Sequence, residues 1–263
     1  MAAIDELLLE REALLDSIED SFKDQLRAVR GQFINNLPVG LDKLRDAQFV
    51  FDLLNESGLS DALQGLGHNS RMSMVARIAE ESGIDIGRID TANLRALRTS
   101  NQALLEAHSR VAAERFRATM LAVSLVPAPV PVASIVESVG KAIDGALFSK
   151  GGLETQVNTA MAAWDRQLQA EMADQAGANL WAYFGPSDRL TRPFCRAILG
   201  MGKVFTDSEL DELNAHPLLH NYVPPNVKVY CGGYNCRHMF GPVLESWAKQ
   251  SGFKVPEVSS GEA

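Results

Sequence analysis

The stretch Cys231-Gly-Gly-Tyr-Asn-Cys236-Arg-His238 sets the last third of the chain apart from the rest. It holds two of the three cysteines together with a histidine, and the remaining cysteine, Cys195, lies in the same third. Gly232 and Gly233 permit backbone conformations that let the chain fold back between the two thiols. Soft ligands on a glycine turn indicate a small module that is chemically distinct from the residues before it.

Residues 1–180 carry the pattern of a helical body. In residues 3–35, apolar side chains recur mostly at steps of three and four, which is typical of an amphipathic helix. A second long helix, residues 91–123, carries many arginines. Further helices are predicted over 41–57, 71–82, 132–149 and 153–177. We therefore expect a mainly α fold, in which a long-helix bundle body precedes the small module.

The pattern changes at Gly185-Pro186, after which short apolar runs are separated by prolines and glycines. Residues 181–252 are therefore predicted to form a small C-terminal α+β module. Within it, the alternation over Val227–Cys231 predicts a strand, and Thr206-Asp-Ser-Glu209 is a capping-box pattern that opens a helix. Residues 253–263 are predicted to be a flexible tail.

Composition and charge restrict the class of protein. The 263 residues are 46% hydrophobic and carry a formal net charge of −8, which is typical of a globular protein and argues against a general polyanion binder. We interpret the arginines of the helix predicted over 91–123 as a solvent-exposed face that forms ion pairs with acidic helices. The alternative is that this face binds nucleic acid or an acidic partner. Three cysteines do not make a disulfide framework, and we expect no secretory signal and synthesis in a reducing cytoplasm.

An uncharged segment at 120–136 raises the question of a membrane span. Pro127, Pro129 and Pro131 alternate within it, and each removes a backbone donor and disfavours helix. We expect no transmembrane segment and interpret the Pro-rich stretch 126–132 as a buried connector between helices. The alternative is an apolar loop that docks on a partner or touches a membrane.

The cysteines and His238 offer the donors of a metal site. Cys195, Cys231, Cys236 and His238 have the number and type of ligands that structural zinc requires. The spacing C-x4-C-x-H differs from the usual C-x2-C knuckle, so two alternatives stay open. One is a set of reduced, buried thiols without metal, and the other is a disulfide between Cys231 and Cys236.

Motifs of common enzyme families are missing from the sequence. It has no Gly-x-Ser-x-Gly, phosphate loop, His-Glu-x-x-His or dinucleotide glycine fingerprint. Asp188, Arg189 and Arg192 lie close together and are interpreted as an ion-pair or hydrogen-bond clasp across the module. We expect a protein that is not an enzyme, with a nucleophilic Cys195 as the alternative.

The run from Gly185 to Phe205, followed by Cys231 to His238, resembles the C-terminal motif of tailed-phage head morphogenesis proteins. These are the minor head proteins similar to the F protein of phage Mu. The motif has an Asp, an Arg-Pro pair, a His or Cys, Gly-Lys-x-Phe, and a closing Cys-Arg-Cys or Cys-Arg-His. The residues on motif positions are Asp188, Arg192, Pro193, Cys195, Gly202, Lys203, Cys236, Arg237 and His238.

The resemblance covers about residues 183–245, under a third of the chain. Cys195 stands where the family usually has His, and His238 stands where it usually has Cys. Both replacements keep a soft ligand, which favours a metal-binding or thiol-rich site.

The resemblance implies a structural virion protein, made in the host cytoplasm. Such a protein is a minor head or neck component at the portal vertex, the head–tail connector region, and acts in head morphogenesis. The implied partners are portal, capsid or neck proteins, other copies of the chain in a ring, and packaged DNA. The alternatives are an enzyme or toxin-like module using Cys195, and a zinc-stabilised DNA-contacting module with Arg192, Lys203 and Arg237 toward phosphates.

Overall fold

A computed structural model of the chain confirms the mainly α fold with a small α+β portion. It describes residues 2–37, 41–81, 91–124, 132–175, 177–219, 226–233 and 236–256. The connector predicted over 126–132 lies outside the described residues, except for Val132, which begins a helix. Among the described helices, none is both long and apolar enough to cross a membrane.

Helices dominate both halves of the chain. They are α1 (Ala2–Asn35), α2 (Ala47–Glu56), α3 (Leu59–Gln64), α4 (His68–Glu81), α5 (Thr91–Ser124), α6 (Val132–Phe148), α7 (Leu153–Gln175), α8 (Pro193–Met201), α9 (Asp207–Leu213), α10 (Val227–Tyr230) and α11 (Glu245–Gln250). The helix predicted over 41–57 is divided into a 3-10 helix, Leu41–Arg45, and α2. The division falls at Asp46, whose carboxylate accepts hydrogen bonds from the first amides of α2.

The chain divides into two compact units. Unit 1 contains Met1–Ala13, Asn69–Arg98 and Met161–Ala263, and unit 2 contains Leu14–His68 and Thr99–Ala160. The boundary predicted between residues 180 and 181 therefore falls inside unit 1. The reason is that α7 packs with the module, since Ala173 of α7 belongs to the same buried cluster as the module's core residues.

The core of unit 2 follows the predicted stripe of α1. Phe22, Leu26, Val29 and Phe33, which follow one another at steps of four, three and four, are each at most 2% exposed. Phe33 meets Phe116 of α5 edge to face, with ring centroids 5.1 Å apart. The apolar periodicity of this part of α1 therefore marks its buried face.

The module in unit 1 is built on a three-stranded antiparallel sheet. Its strands are β1 (Leu180–Phe184), β2 (Val204–Thr206) and β3 (Met239–Pro242), in the order β2-β1-β3. Because side chains alternate along a strand, Trp181 and Tyr183 belong to one buried cluster, and Leu180 and Ala182 belong to another. The first cluster also contains all three cysteines.

Two predictions for the module are corrected. Val227–Tyr230 is one turn of helix and not a strand, because the Asn226 side chain accepts a hydrogen bond from the Val229 amide and caps it. The predicted flexible tail begins too early, because Phe253 stacks on Trp247 and the Lys254 amide donates to Gly202 O at 3.0 Å. Residues 257–263 lie outside the described residues.

Candidate functional site

Two segments, α8 and the residues just before β3, bring soft ligands to the face of the sheet that carries Trp181 and Tyr183. Pro193 occupies the first turn of α8, where its missing amide hydrogen costs nothing. Cys195 follows in the same turn and is fully buried. Cys236 and His238 lie just before β3 and are also buried.

The donor atoms of Cys195, Cys236 and His238 all lie within 4.8 Å of one another. The two sulfurs are 3.7 Å apart, and the Cys236 sulfur is 3.8 Å from Nδ1 of His238. Tetrahedral zinc with bonds of about 2.3 Å to sulfur and about 2.0 Å to nitrogen holds two sulfurs about 3.8 Å apart, and sulfur and nitrogen about 3.5 Å apart. The distances from the Cys236 sulfur to the other two donors are close to these values, and the three residues together could hold a metal ion.

The neighbours of His238 fix which ring nitrogen is free. Nε2 lies 2.9 Å from the carbonyl oxygen of Pro186, which can only accept, so Nε2 carries the proton in the neutral ring. Nδ1 then presents its lone pair toward Cys236, as a metal-ligating histidine does. The ring stacks on Tyr183, with centroids 5.5 Å apart and planes at 9°.

Gly185 is needed for this placement of the imidazole. Its φ is +145°, and a Cβ there would lie 2.4 Å from Cδ2 of His238. A side chain at position 185 would therefore collide with the ring that its neighbour Pro186 orients.

Cys231 is placed differently from the predicted four-ligand set. It is fully buried, but its sulfur is not part of the group within 4.8 Å. Burial raises the pKa of its thiol to about 12, although the positive charge of Arg166 lowers it. Of the four predicted ligands, the structure thus brings together Cys195, Cys236 and His238.

Gly232 brings backbone close to the two clustered thiols. Its amide donates to the Cys236 sulfur at 3.4 Å. A Cβ at this position would lie 2.5 Å from the Cys195 sulfur and 3.3 Å from the Cys236 sulfur. The absence of a side chain at Gly232 therefore allows the backbone of the glycine turn to lie close to the two sulfurs.

Cys195 and Cys236 influence each other's titration through their sulfurs, which lie 3.7 Å apart. The contact with Cys195 lowers the pKa of Cys236, and the positive charge of Arg166 lowers it further. The same contact, together with burial, raises the pKa of Cys195.

Arg166 of α7 is a buried cation that the sequence did not single out. Its guanidinium donates to Val229 O at 2.9 Å and to Cys236 O, so it holds both sides of the glycine turn. Burial lowers the pKa of Arg166, but the acidic groups around it, among them Cys236 and Asp165, outweigh this effect and raise the pKa. No spacing rule connects this residue to cysteines more than sixty positions away.

The remaining motif residues form contacts around the cluster. A single terminal nitrogen of Arg237 donates to both oxygens of Asp188, each at 2.8 Å, so Arg237 is the partner of Asp188. Arg192 donates to Gly232 O at 2.7 Å, beside the two thiols. The clasp predicted for Asp188 and Arg192 is thus made with residues 232 and 237.

The described contacts of Gly202 and Lys203 are made away from the thiols. Gly202 ends α8 in the left-handed conformation, with φ +57°. Lys203 pairs with Glu209 at 2.5 Å, and Glu209 also completes the capping box of α9 with Thr206. The pKa of Glu209 is lowered by Lys203 and the Thr206 amide despite the raising effect of burial. These two motif residues set the turn between α8 and β2.

Tyr183 is a second residue that the sequence did not identify. It is 4% exposed, and its hydroxyl has no hydrogen-bond partner within standard geometry among the described residues. The hydroxyl lies close enough to Cys195 to affect that thiol's pKa. Only its place in the alternation of β1 could have pointed to the buried face.

Comparisons of the chain with family models, curated proteins and solved structures found no match.

Proposed function

We propose that the protein is a structural virion component of a tailed bacteriophage, a minor head or neck protein of the portal vertex that acts in head morphogenesis. The observation that carries the proposal is the convergence of the motif residues. Asp188 contacts Arg237, 49 positions later, and Cys195 contacts Cys236, 41 positions later. Motif residues that are far apart in the sequence therefore contact each other in the folded module, and of the motif positions only Gly202 and Lys203 have their described contacts elsewhere.

The contacts of the charged motif residues favour a structural role for them within the module. Arg192, Lys203 and Arg237 each have a partner inside the module: Gly232 O, Glu209 and Asp188. Positively charged side chains that already have partners inside the module stabilise its fold, and they are less available to DNA phosphates than side chains on an open surface. This favours the virion proposal over the DNA-contacting alternative.

The environment of Cys195 argues against the enzyme alternative. A nucleophilic cysteine needs an accessible thiolate. Cys195 is fully buried, and the hydrogen bond to Cys236 and the burial raise its pKa. Cys195 is therefore better suited to holding the module together than to attacking a substrate.

Apolar surface supports contacts with other virion proteins. Leu9 and Leu190 in unit 1 are each 67% exposed, and Leu104 and Val111 on α5 are 44% and 47% exposed. Portal, capsid or neck proteins and further copies of the chain in a ring are the proposed partners. Packaged DNA is a further proposed contact.

Quantitative mass spectrometry of purified virions tests this function. A minor head or neck protein is expected at a few copies per particle, far below the major capsid protein and in a constant ratio to the portal protein. Particles should be treated with protease before lysis, so that adsorbed lysate proteins are removed. A protein found in the lysate and missing from treated particles would overturn the proposal.

A matched pair of variants links the motif to assembly. Asp188→Ala removes the partner of Arg237, and Glu10→Ala removes an exposed partner of Arg77 in the same unit. In phage lacking the wild-type gene, Asp188→Ala is expected to reduce the yield of infectious particles, and Glu10→Ala is expected to preserve it. Equal yields from the two variants would show that the motif is not used in assembly.

A further inference from the structure

The proposed role in virion assembly does not account for the buried cluster of sulfur and nitrogen donors on one face of the sheet. We infer that Cys195, Cys236 and His238 bind one thiophilic divalent cation of the Zn²⁺ class, with Cys231 outside the ligand set and Tyr183 as a positioning residue beside Cys195. This inference does not depend on the virion proposal, because it concerns the isolated protein.

The donor set selects the class of cation. Two thiolates and an imidazole favour Zn²⁺ over Mg²⁺ or Ca²⁺, which prefer oxygen ligands. The sulfur–sulfur distance of 3.7 Å and the sulfur–nitrogen distance of 3.8 Å lie close to those of a tetrahedral site. The Cys195 and His238 donors lie within 4.8 Å of each other, so these two side chains need to approach by at most about 1.3 Å to seat the ion.

The surroundings already hold two donors in orientation. Pro186 O accepts from Nε2 of His238 and leaves Nδ1 for the ion. The Gly232 amide donates to the Cys236 sulfur, a contact that a metal thiolate also accepts. Such outer contacts are what distinguishes a metal site from ligands that merely lie near one another.

Placement excludes Cys231 from the ligands. The donor atoms that lie within 4.8 Å of one another are those of Cys195, Cys236 and His238, and the Cys231 sulfur is not among them. A dication held by two thiolates and a neutral imidazole carries no net charge, which suits a buried site.

Tyr183 lies against the site. Its ring stacks on the ring of His238, with centroids 5.5 Å apart and planes at 9°. Its hydroxyl is buried and has no hydrogen-bond partner among the described residues, which is costly for a polar group. A metal-bound thiolate is a stronger acceptor than a thiol, so binding of the cation at Cys195 would provide an acceptor for this hydroxyl.

Cobalt titration tests the ligand set. Co²⁺ is added anaerobically to the reduced, metal-free full chain, and visible absorption reports tetrahedral thiolate ligation. The expected result is one equivalent of Co²⁺, displaced by Zn²⁺. Cys195→Ser, Cys236→Ser and His238→Gln are each expected to weaken binding by more than tenfold, since even loss of an outer-shell partner costs about 10- to 100-fold. Cys231→Ser is the matched control and is expected to bind like wild type.

Each contrary result overturns a stated part of the inference. Wild type that binds no Co²⁺, or that carries a Cys195–Cys236 disulfide after purification under reducing conditions, overturns the metal site. A folded Cys231→Ser that loses binding, by circular dichroism and titration together, overturns the three-ligand set. Tyr183→Phe is expected to keep the stoichiometry and shift the sulfur-to-cobalt charge-transfer band, and an unchanged band overturns the role of Tyr183. Tyr183→Phe and Cys231→Ser retain all three ligands, so these tests do not require the ligand variants to fold.

Discussion

Gly232 shows how a single hydrogen atom in place of a side chain makes the thiol cluster possible. Gly232→Ala would place a Cβ 2.5 Å from the Cys195 sulfur, so the turn or the thiols must shift. We expect the variant to be destabilised by about 1–3 kcal/mol, the usual cost of overpacking a core. Urea denaturation followed by tryptophan fluorescence measures this, because Trp164, Trp181 and Trp247 all lie in unit 1.

Gly200 provides the control for that substitution. It lies in α8 of the same unit, and a Cβ there would meet nothing within 4 Å. Gly200→Ala is expected to leave stability unchanged or raise it by about 0.5–1 kcal/mol, because alanine favours helix. Equal destabilisation by the two substitutions would contradict the close approach of backbone to sulfur.

Asp188 gives the module a dependence on pH. The hydrogen bond from Arg237 holds the pKa of Asp188 below its usual value, so the folded pKa is lower than the unfolded pKa of about 3.9. The stabilising effect is therefore complete above the unfolded pKa and is lost as pH falls through the folded pKa. We expect wild type to exceed Asp188→Asn in melting temperature at pH 6, and the difference to shrink below about pH 4.

An exposed carboxylate of the same unit separates this effect from general acid denaturation. Asp211→Asn removes one exposed carboxylate from α9. Its difference from wild type is expected to be small over the same pH range. A gap between wild type and Asp188→Asn that stays constant down to pH 2.5 would contradict the linkage.

Residue types indicated most of the candidate site, and tertiary structure decided the rest. The sequence predicts Cys195, Cys236 and His238 as candidate ligands, because few other residue types offer soft donor atoms. It does not predict that Cys231 lies outside the group, since that depends on where the glycine turn places one sulfur. It does not predict the role of Arg166 either, because this residue contacts positions 229 and 236 from a helix far away in sequence.

At the level of elements, a buried carboxylate joins three helices of unit 1. Asp165 of α7 receives a hydrogen bond from Arg71 of α4 at 2.8 Å and lies 3.6 Å from Arg11 of α1. Asp165→Asn would leave two buried guanidinium groups without their counter-charge. We expect a loss of about 3–5 kcal/mol, as when one partner of a buried ion pair is removed. Urea denaturation with tryptophan fluorescence reports it.

The pair between Glu10 and Arg77 is the matched control, because it also joins α1 and α4. Its nitrogen and oxygen lie 2.9 Å apart, but the two side chains are 45% and 51% exposed. Glu10→Gln is expected to cost less than about 1 kcal/mol. A comparable loss from both substitutions would show that burial does not set the strength of these contacts.

The long helices could be predicted from periodicity, and the short elements could not. Helices predicted over 91–123 and 153–177 are observed at Thr91–Ser124 and Leu153–Gln175, because many turns of apolar repeat define them. The strands have three to five residues and gain their stability from partners far along the chain, such as Trp181 opposite Phe205. The alternation at 227–231 was too short to exclude a single helical turn.

For the whole molecule, the division into two units predicts which part of the chain a bound cation stabilises. A ligand that binds only the folded state adds about 2.7 kcal/mol at a concentration of 100 times its Kd. That energy protects the amides whose opening breaks the site, and it does not protect amides that open locally elsewhere. The donors Cys195, Cys236 and His238 all lie in unit 1.

Hydrogen–deuterium exchange with and without Zn²⁺ measures this distribution. We expect slower exchange in peptides from 186–219 and 236–256, and unchanged exchange in peptides from 99–124 and 132–160 of unit 2. Cys195→Ser with the same Zn²⁺ should show neither change, because a ligand is gone while side-chain size is kept. Equal protection of both units would mean that they open as one cooperative structure, and protection confined to unit 2 would place the cation away from the thiol cluster.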